Sequence, residues 1–185
     1  MKPKQESFLP RLGKKTAEYG GGKEKGKRKI ARPFSPKLPM HLVLRAAGAK
    51  GPLSLLTTQN KEAVEKLLHH YAKLCHIKIY RFQNVGNHIH LLIQTKAKQH
   101  ALARSNLSAF LRLFCGQVAM KVSGGKKSHA YGRFWDELVY SRLVTFGRDF
   151  KSVTQYFIKN LFEAHGLWNR KKFPDWQLFC CEASP

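Results

Sequence analysis

Gly86-Asn87-His88-Ile89-His90-Leu91-Leu92-Ile93-Gln94 is a short, mostly apolar run that carries two histidines two positions apart. In an extended strand successive side chains alternate faces, so His88, His90, Leu92 and Gln94 share one face and Ile89, Leu91 and Ile93 the other. The apolar set can pack on helices, which leaves two imidazoles side by side, an arrangement able to chelate a divalent cation. Taken alone, the pattern more often describes two solvated histidines on a half-exposed strand, so a ligand pair has to be argued from the rest of the chain.

Immediately upstream, Ile77-Lys78-Ile79-Tyr80-Arg81-Phe82 alternates with period two and Gln83 to Asn87 reads as a turn. Two strands joined so briefly form an antiparallel hairpin. Before them, Thr58 to Leu74 has a helical period: Ala63, Val64, Leu67, Leu68, Tyr71 and Leu74 fall on one face, Asn60 is placed to cap the helix, and His69 and His70 read as surface residues. Pro39 to Arg45 is apolar and β-branched enough for an internal strand, and Gly48 to Gly51 makes a loop after it.

Downstream of the histidines, a second helix is expected over about Leu102 to Val122, with Leu107, Phe110, Leu111, Phe114 and Val118 as its buried stripe and Ser123-Gly124-Gly125 as its stop. Gly132-Arg133-Phe134-Trp135-Asp136 then leads into a strand over Leu138 to Val144. Gly147 breaks the chain, and a third helix runs from about Asp149 to Ala164, ahead of Gly166. The closing segment through Trp168, Pro174 and Trp176 has no clear periodicity and is expected to pack over the sheet.

Strand, helix, strand, strand, helix, strand, helix is the order of an α+β ferredoxin-like βαββαβ sandwich, an antiparallel sheet with helices on one face, plus a C-terminal helix. In that topology the first and third strands are central, which puts the histidine pair on a rigid element. The domain organisation read from this order is a basic tail over residues 1–37, expected to be disordered when free, a domain over 38–167 and a C-terminal extension over 168–185.

A chain of 185 residues suits one domain with a real core. Its formal charge of +23 is tolerated mainly by proteins whose partner is a polyanion, nucleic acid first and an anionic membrane surface second. The tail carries 12 Lys and Arg against 3 Glu, so +9 of that charge lies there and the domain is basic as well. No apolar run has the length of a membrane span, and no apolar segment follows the basic N-terminus as a secretory signal would require, so a cytoplasmic protein is expected. Cys75, Cys115, Cys180 and Cys181 form no Cys-x-x-Cys pair, which argues against a zinc knuckle or a disulfide framework.

The third helix contains Gln155-Tyr156-Phe157-Ile158-Lys159-Asn160, where Tyr156 and Asn160 project from one face a turn apart. Helical tyrosines beside a core are usually structural. Together with a His-x-His strand and a large positive charge, this one becomes a candidate nucleophile and Asn160 a candidate ligand.

These residues resemble the single-tyrosine HUH transposases and, within them, the REP-associated tyrosine transposases. The resemblance rests on Asn87-His88-Ile89-His90-Leu91-Leu92 as the HUH strand, Gly132-Arg133-Phe134-Trp135-Asp136 ahead of the last strand, and Gln155 to Asn160 as the tyrosine helix, in matching order over roughly Pro39 to Gly166. Family members often carry Asn-Pro after the tyrosine, whereas Asn160 here precedes Leu161, and the basic extension before Pro39 lies outside the shared core.

The resemblance implies a bacterial, nucleoid-associated DNA transposase or nickase. Such an enzyme acts on single-stranded or hairpin DNA of palindromic repeats through a covalent 5′-phosphotyrosine on Tyr156. It also implies Mg²⁺ or Mn²⁺ held by His88, His90 and Asn160; two imidazoles are softer than Mg²⁺ prefers, so Mn²⁺ is expected to bind better. Candidate DNA contacts are Arg45, Arg81, Arg133, Trp135 and Arg142 with Lys27, Arg28 and Lys29 of the tail, although core packing is the favoured reading of Phe134 and Trp135. The rival readings are a non-catalytic nucleic-acid-binding module on the same sheet and a metal-dependent nuclease in which water attacks. A monomer and a homodimer both remain open.

Overall fold

The computed structural model describes residues 18–21, 31–124 and 133–164. Five strands, β1 (Glu18–Tyr19), β2 (Met40–Arg45), β3 (Ile77–Asn84), β4 (His88–Thr95) and β5 (Tyr140–Leu143), alternate with three helices, α1 (Thr58–Leu74), α2 (His100–Val122) and α3 (Arg148–Ala164). The sheet order is β1-β5-β2-β4-β3 with every neighbouring pair antiparallel, so β2 and β4 are central, as the ferredoxin-like reading requires.

Strand parity divides the sheet into two chemistries. Met40, Leu42 and Leu44 of β2 and Ile89, Leu91 and Ile93 of β4 point to one side, where they meet Val64, Leu68 and Ala72 of α1 and Phe110, Phe114 and Val118 of α2 in the main core. Burying each such side chain contributes about 1.5–3 kcal/mol, so this layer holds the domain together. On the other side a small cluster of Leu92, Val144, Val153 and Phe157, flanked by Tyr80 and Phe150, seats α3 on the sheet.

Several local expectations are corrected. The cap of α1 is Thr57, whose hydroxyl accepts from the Asn60 N–H at 3.3 Å. Asn60 is instead buried and its amide donates to the Pro52 and Ser54 carbonyls at 3.1 and 2.8 Å, which ties down the loop before the helix. Leu74 lies on the outside at 58% exposure and Ala72 takes a core position, because the stripe turns as the helix ends. β3 extends to Asn84, and a register shift between Ile79 and Arg81 lets Ile79 and Phe82, of opposite parity, both face the core while Tyr80 faces α3.

The fourth βαββαβ strand, expected over Leu138 to Val144, is confined to Tyr140–Leu143. Within the segment read as a basic tail, Glu18–Tyr19 forms an edge strand opposite Arg142 and Ser141. Gly20, at φ +77°, follows it, where a Cβ would collide with the Val139 carbonyl. Lys27, Arg28, Lys29, Gly132, Trp168, Pro174, Trp176 and the 168–185 extension lie outside the described residues.

Candidate functional site

The start of β4 is clamped before its histidines begin. Gly86, at φ +94°, closes the β3–β4 turn; its N–H donates to Asn84 Oδ1 at 3.0 Å and its carbonyl accepts from Leu55 at 2.9 Å. Ala46 donates to the Asn87 carbonyl at 2.8 Å, so the turn is stitched to the loop after β2. Beyond β2, Asp136 completes the fastening: its N–H donates to the Arg45 carbonyl and its carboxylate accepts from the Ala47 N–H, both at 2.9 Å.

Register then aligns the polar side chains. Arg45 stands opposite His88, Val43 opposite His90 and His41 opposite Leu92, while Arg142 on β5 stands opposite His41. The rings of His88 and His90 lie 4.8 Å apart between centroids. His90 is buried at 2% exposure, with its Nδ1 3.3 Å from His41 Nε2 and its Nε2 3.4 Å from the Asn160 amide. His88 Nδ1 is 2.6 Å from Asn87 Oδ1.

α3 carries the rest. Its first turn is held by Asp149, whose carboxylate accepts from Arg142 Nη1 at 2.9 Å and from the Thr145 N–H at 3.0 Å, an acid where the helix dipole favours one. Val153 and Phe157 anchor the helix on the sheet, and Tyr156 projects beside them, its ring centroid 5.6 Å from His90 and 6.0 Å from His41. Tyr156 remains 45% exposed. Next to it a cleft of about 380 Å³ opens between β5 and α3, lined by residues including His41, Tyr140, Arg142, Ser152 and Tyr156.

The electrostatics keep the imidazoles neutral at pH 7. Burial, reinforced by Arg142, lowers His41 to about 4; burial with neighbouring His41 and His88 lowers His90 to about 3. Burial and then Arg45 lower His88. Neutral rings keep a lone pair, which is what a metal ligand needs. Tyr140 behaves oppositely to a nucleophile: burial first, then the Glu18 carboxylate and its hydrogen bond, push its phenol up to about 12.

Thus the fold brings together His88, His90, Asn160 and Tyr156, drawn from two elements far apart in sequence. Among the described residues no three His, Cys, Asp or Glu side chains form a ligand set, and the Asn160 amide lies 3.4 Å from His90 Nε2. Of the candidate DNA contacts, Arg45 and Arg142 share the histidine face, Arg45 near Asp136 at 3.7 Å and Arg142 bonded to Asp149. Arg81, opposite Leu92, and Arg133 are exposed. Trp135 packs against the main core and donates its indole N–H to the Cys115 carbonyl at 2.9 Å. Sequence reasoning missed His41, although its parity with Val43 and Arg45 on the strand beside the HUH strand was a usable signal.

No helix among the described residues is long and apolar enough to cross a membrane. The family described as transposase, IS200-like, matches residues 35–160. No curated protein matches the chain significantly. Among solved structures, a REP-associated tyrosine transposase bound to a REP hairpin is 12% identical, covering 75% of this chain and 74% of its own, with a TM-score of 0.53. A candidate transposase of Deinococcus radiodurans R1 is 17% identical, covering 72% of this chain and 97% of its own, with a TM-score of 0.42. At such identities the likeness to the first concerns the fold, a mixed α/β architecture on a five-stranded antiparallel sheet.

Proposed function

This chain belongs to the IS200-like transposase family, and from that premise we propose that it cuts and rejoins single-stranded or hairpin DNA through a 5′-phosphotyrosine on Tyr156. The observation that carries the reading is the position of Tyr156, half exposed on α3 within 6.0 Å of His41 and His90, one turn before an asparagine whose amide reaches His90 Nε2. Tyr140, the other tyrosine at the cleft, keeps its proton against Glu18 and is the poorer nucleophile. A protein of the same fold is bound to a REP hairpin, which together with the +23 charge supports DNA as the partner here.

In the reaction the Tyr156 oxygen attacks the scissile phosphorus, the P–O3′ bond breaks, and the phenolic proton ends on the departing 3′-hydroxyl. Rejoining reverses the exchange: a 3′-hydroxyl attacks the phosphotyrosine and Tyr156 regains its proton. Because the ester bond is conserved, no nucleotide cofactor has to drive it. A protonated phenol is a weak nucleophile, so positioning and charge neutralisation carry the step.

Neutral imidazoles from His88 and His90 with the Asn160 amide oxygen fit a divalent cation, with Mn²⁺ suiting two nitrogen donors better than Mg²⁺. A cation held by His88, His90 and Asn160 would supply positive charge to offset the charge developing on the scissile phosphate. Arg45, beside His88, holds the neighbouring phosphate. Arg142 keeps α3, and with it Tyr156, against the sheet through Asp149.

Labelled single-stranded hairpin oligonucleotides incubated with Mn²⁺ and resolved by denaturing electrophoresis test the reading. A protein-linked DNA band that vanishes in Tyr156→Phe is expected. Cleavage without such a band would instead favour attack by water, and tight binding with neither would favour a non-catalytic module.

A further inference from the structure

The two histidines of β4 each have two ring nitrogens, and only one lone pair per neutral ring is available to a cation. We infer that Asn87 and His41 are positioning residues that hold His88 and His90 in the Nδ1–H tautomer, so that each ring keeps its lone pair on Nε2, that of His90 facing Asn160. The consequence for metal binding rests on the reading of the site given above; the tautomers themselves do not.

For His88 the argument is the Asn87 contact. At 2.6 Å, Asn87 Oδ1 is closer to His88 Nδ1 than a usual N–H···O bond, and a carbonyl oxygen only accepts, so the proton sits on Nδ1. Asn87 is itself fixed, since its backbone carbonyl takes the Ala46 N–H at 2.8 Å and the preceding residue is the clamped Gly86. The side chain that orients the first histidine is therefore mounted on the rigid turn and not on a mobile loop.

For His90 the Asn160 contact selects the tautomer, and the His41 contact is compatible with it. Its Nδ1 faces His41 Nε2 at 3.3 Å and its Nε2 faces the Asn160 Nδ2 at 3.4 Å. With the proton on Nδ1, His90 donates to His41 and its Nε2 lone pair accepts from the amide. With the proton on Nε2, two donors would face each other at Asn160. His41 and His90 are 6% and 2% exposed and their rings stack at 18°, so water cannot stand in for the acceptor nitrogen of His41. A cation at this site would find the His90 Nε2 lone pair available without a prior proton transfer, and Asn160 would hold it through its amide oxygen. Outer partners of this kind set ligand orientation and basicity, and their loss typically weakens metal affinity by about 10–100-fold.

The test uses the metal-free full chain labelled with ¹⁵N-histidine. Long-range ¹H–¹⁵N spectra are expected to report Nδ1 protonated and Nε2 unprotonated for both His88 and His90, assigned through His88→Ala and His90→Ala. Mn²⁺ affinity, followed by the electron paramagnetic resonance of the free ion, is expected to fall about 10–100-fold in Asn87→Ala and in His41→Phe. Asn87→Asp and His41→Gln, which keep an acceptor, are expected to restore it. Should His41→Phe fail to fold, His41→Gln and the Asn87 pair still decide the matter, the latter at a partly exposed turn.

An Nε2–H tautomer at both histidines would overturn the inference. So would Mn²⁺ affinity unmoved by Asn87→Ala and His41→Phe while His88→Ala abolishes it. If His88→Ala also left Mn²⁺ binding unchanged, the metal assignment of the site would fall, and with it the function of the pair.

Discussion

The two faces of the sheet are built from the same strands and differ in how tightly they are covered. One is sealed by α1 and α2 over an apolar layer that includes Phe110, Phe114, Leu42 and Ile89, all fully buried. The other is covered, among the described residues, by α3, through a cluster of four buried apolar residues and the Arg142–Asp149 pair, with an open cleft beside His41 and Tyr156. The difference teaches where stability and chemistry are separated. Packing on the first face fixes backbone positions to the precision the site needs, while thin cover on the second leaves room for a nucleic-acid strand to reach the histidines.

The sharpest way to break this contrast is a substitution that should touch only chemistry. Tyr156→Phe is expected to abolish the covalent DNA adduct while shifting stability by less than about 0.5 kcal/mol, since the side chain is half exposed; retained adduct would place the nucleophile elsewhere. Next come matched truncations on the two faces. Phe114→Ala is expected to cost about 3–5 kcal/mol in urea unfolding, and Phe157→Ala no more than about half of that, because a thinly covered site can close over the loss. Equal costs would mean that α3 is as much a part of the core as α2.

A smaller effect is expected at the tie between α3 and the sheet. Asp149→Ala should lower global stability by only about 1 kcal/mol, as a partly exposed ion pair does, yet speed amide exchange in α3 well ahead of α1 and α2. Uniform exchange across the three helices would count against a separately opening α3. Least of all for the fold is Arg45→Ala. With its side chain largely exposed, it should leave the unfolding midpoint unmoved, weaken DNA binding and reduce the salt dependence of that binding by about one phosphate contact.

Much of the fold was legible because periodicity carries it. The parity of His88, His90 and Leu92 against Ile89, Leu91 and Ile93 anticipated the two faces of β4, and the span of α1 matches its helical period residue for residue. The bulge at Tyr80 escaped notice, because Ile77 and Ile79 keep one parity and only Phe82 departs from it. Glu18–Tyr19 escaped too: two residues have no period, and their pairing with β5 is decided by an edge far along the chain. Residue type alone favours Asn60 as the cap of α1, whereas Thr57 lies where the backbone needs an acceptor.

What the sequence determined by itself was a basic chain with a sandwich fold, a histidine pair on a central strand and a tyrosine and an asparagine on one helical face. Those are local properties, set by side-chain parity and helical pitch. Only the tertiary structure decided that α3 lies across the face carrying His90, that His41 stacks on it, and that Arg142 is bonded to Asp149. The physical reason is that these contacts join residues from β2, β4, β5 and α3, and their geometry follows from strand order and helix packing rather than from any interval along the chain.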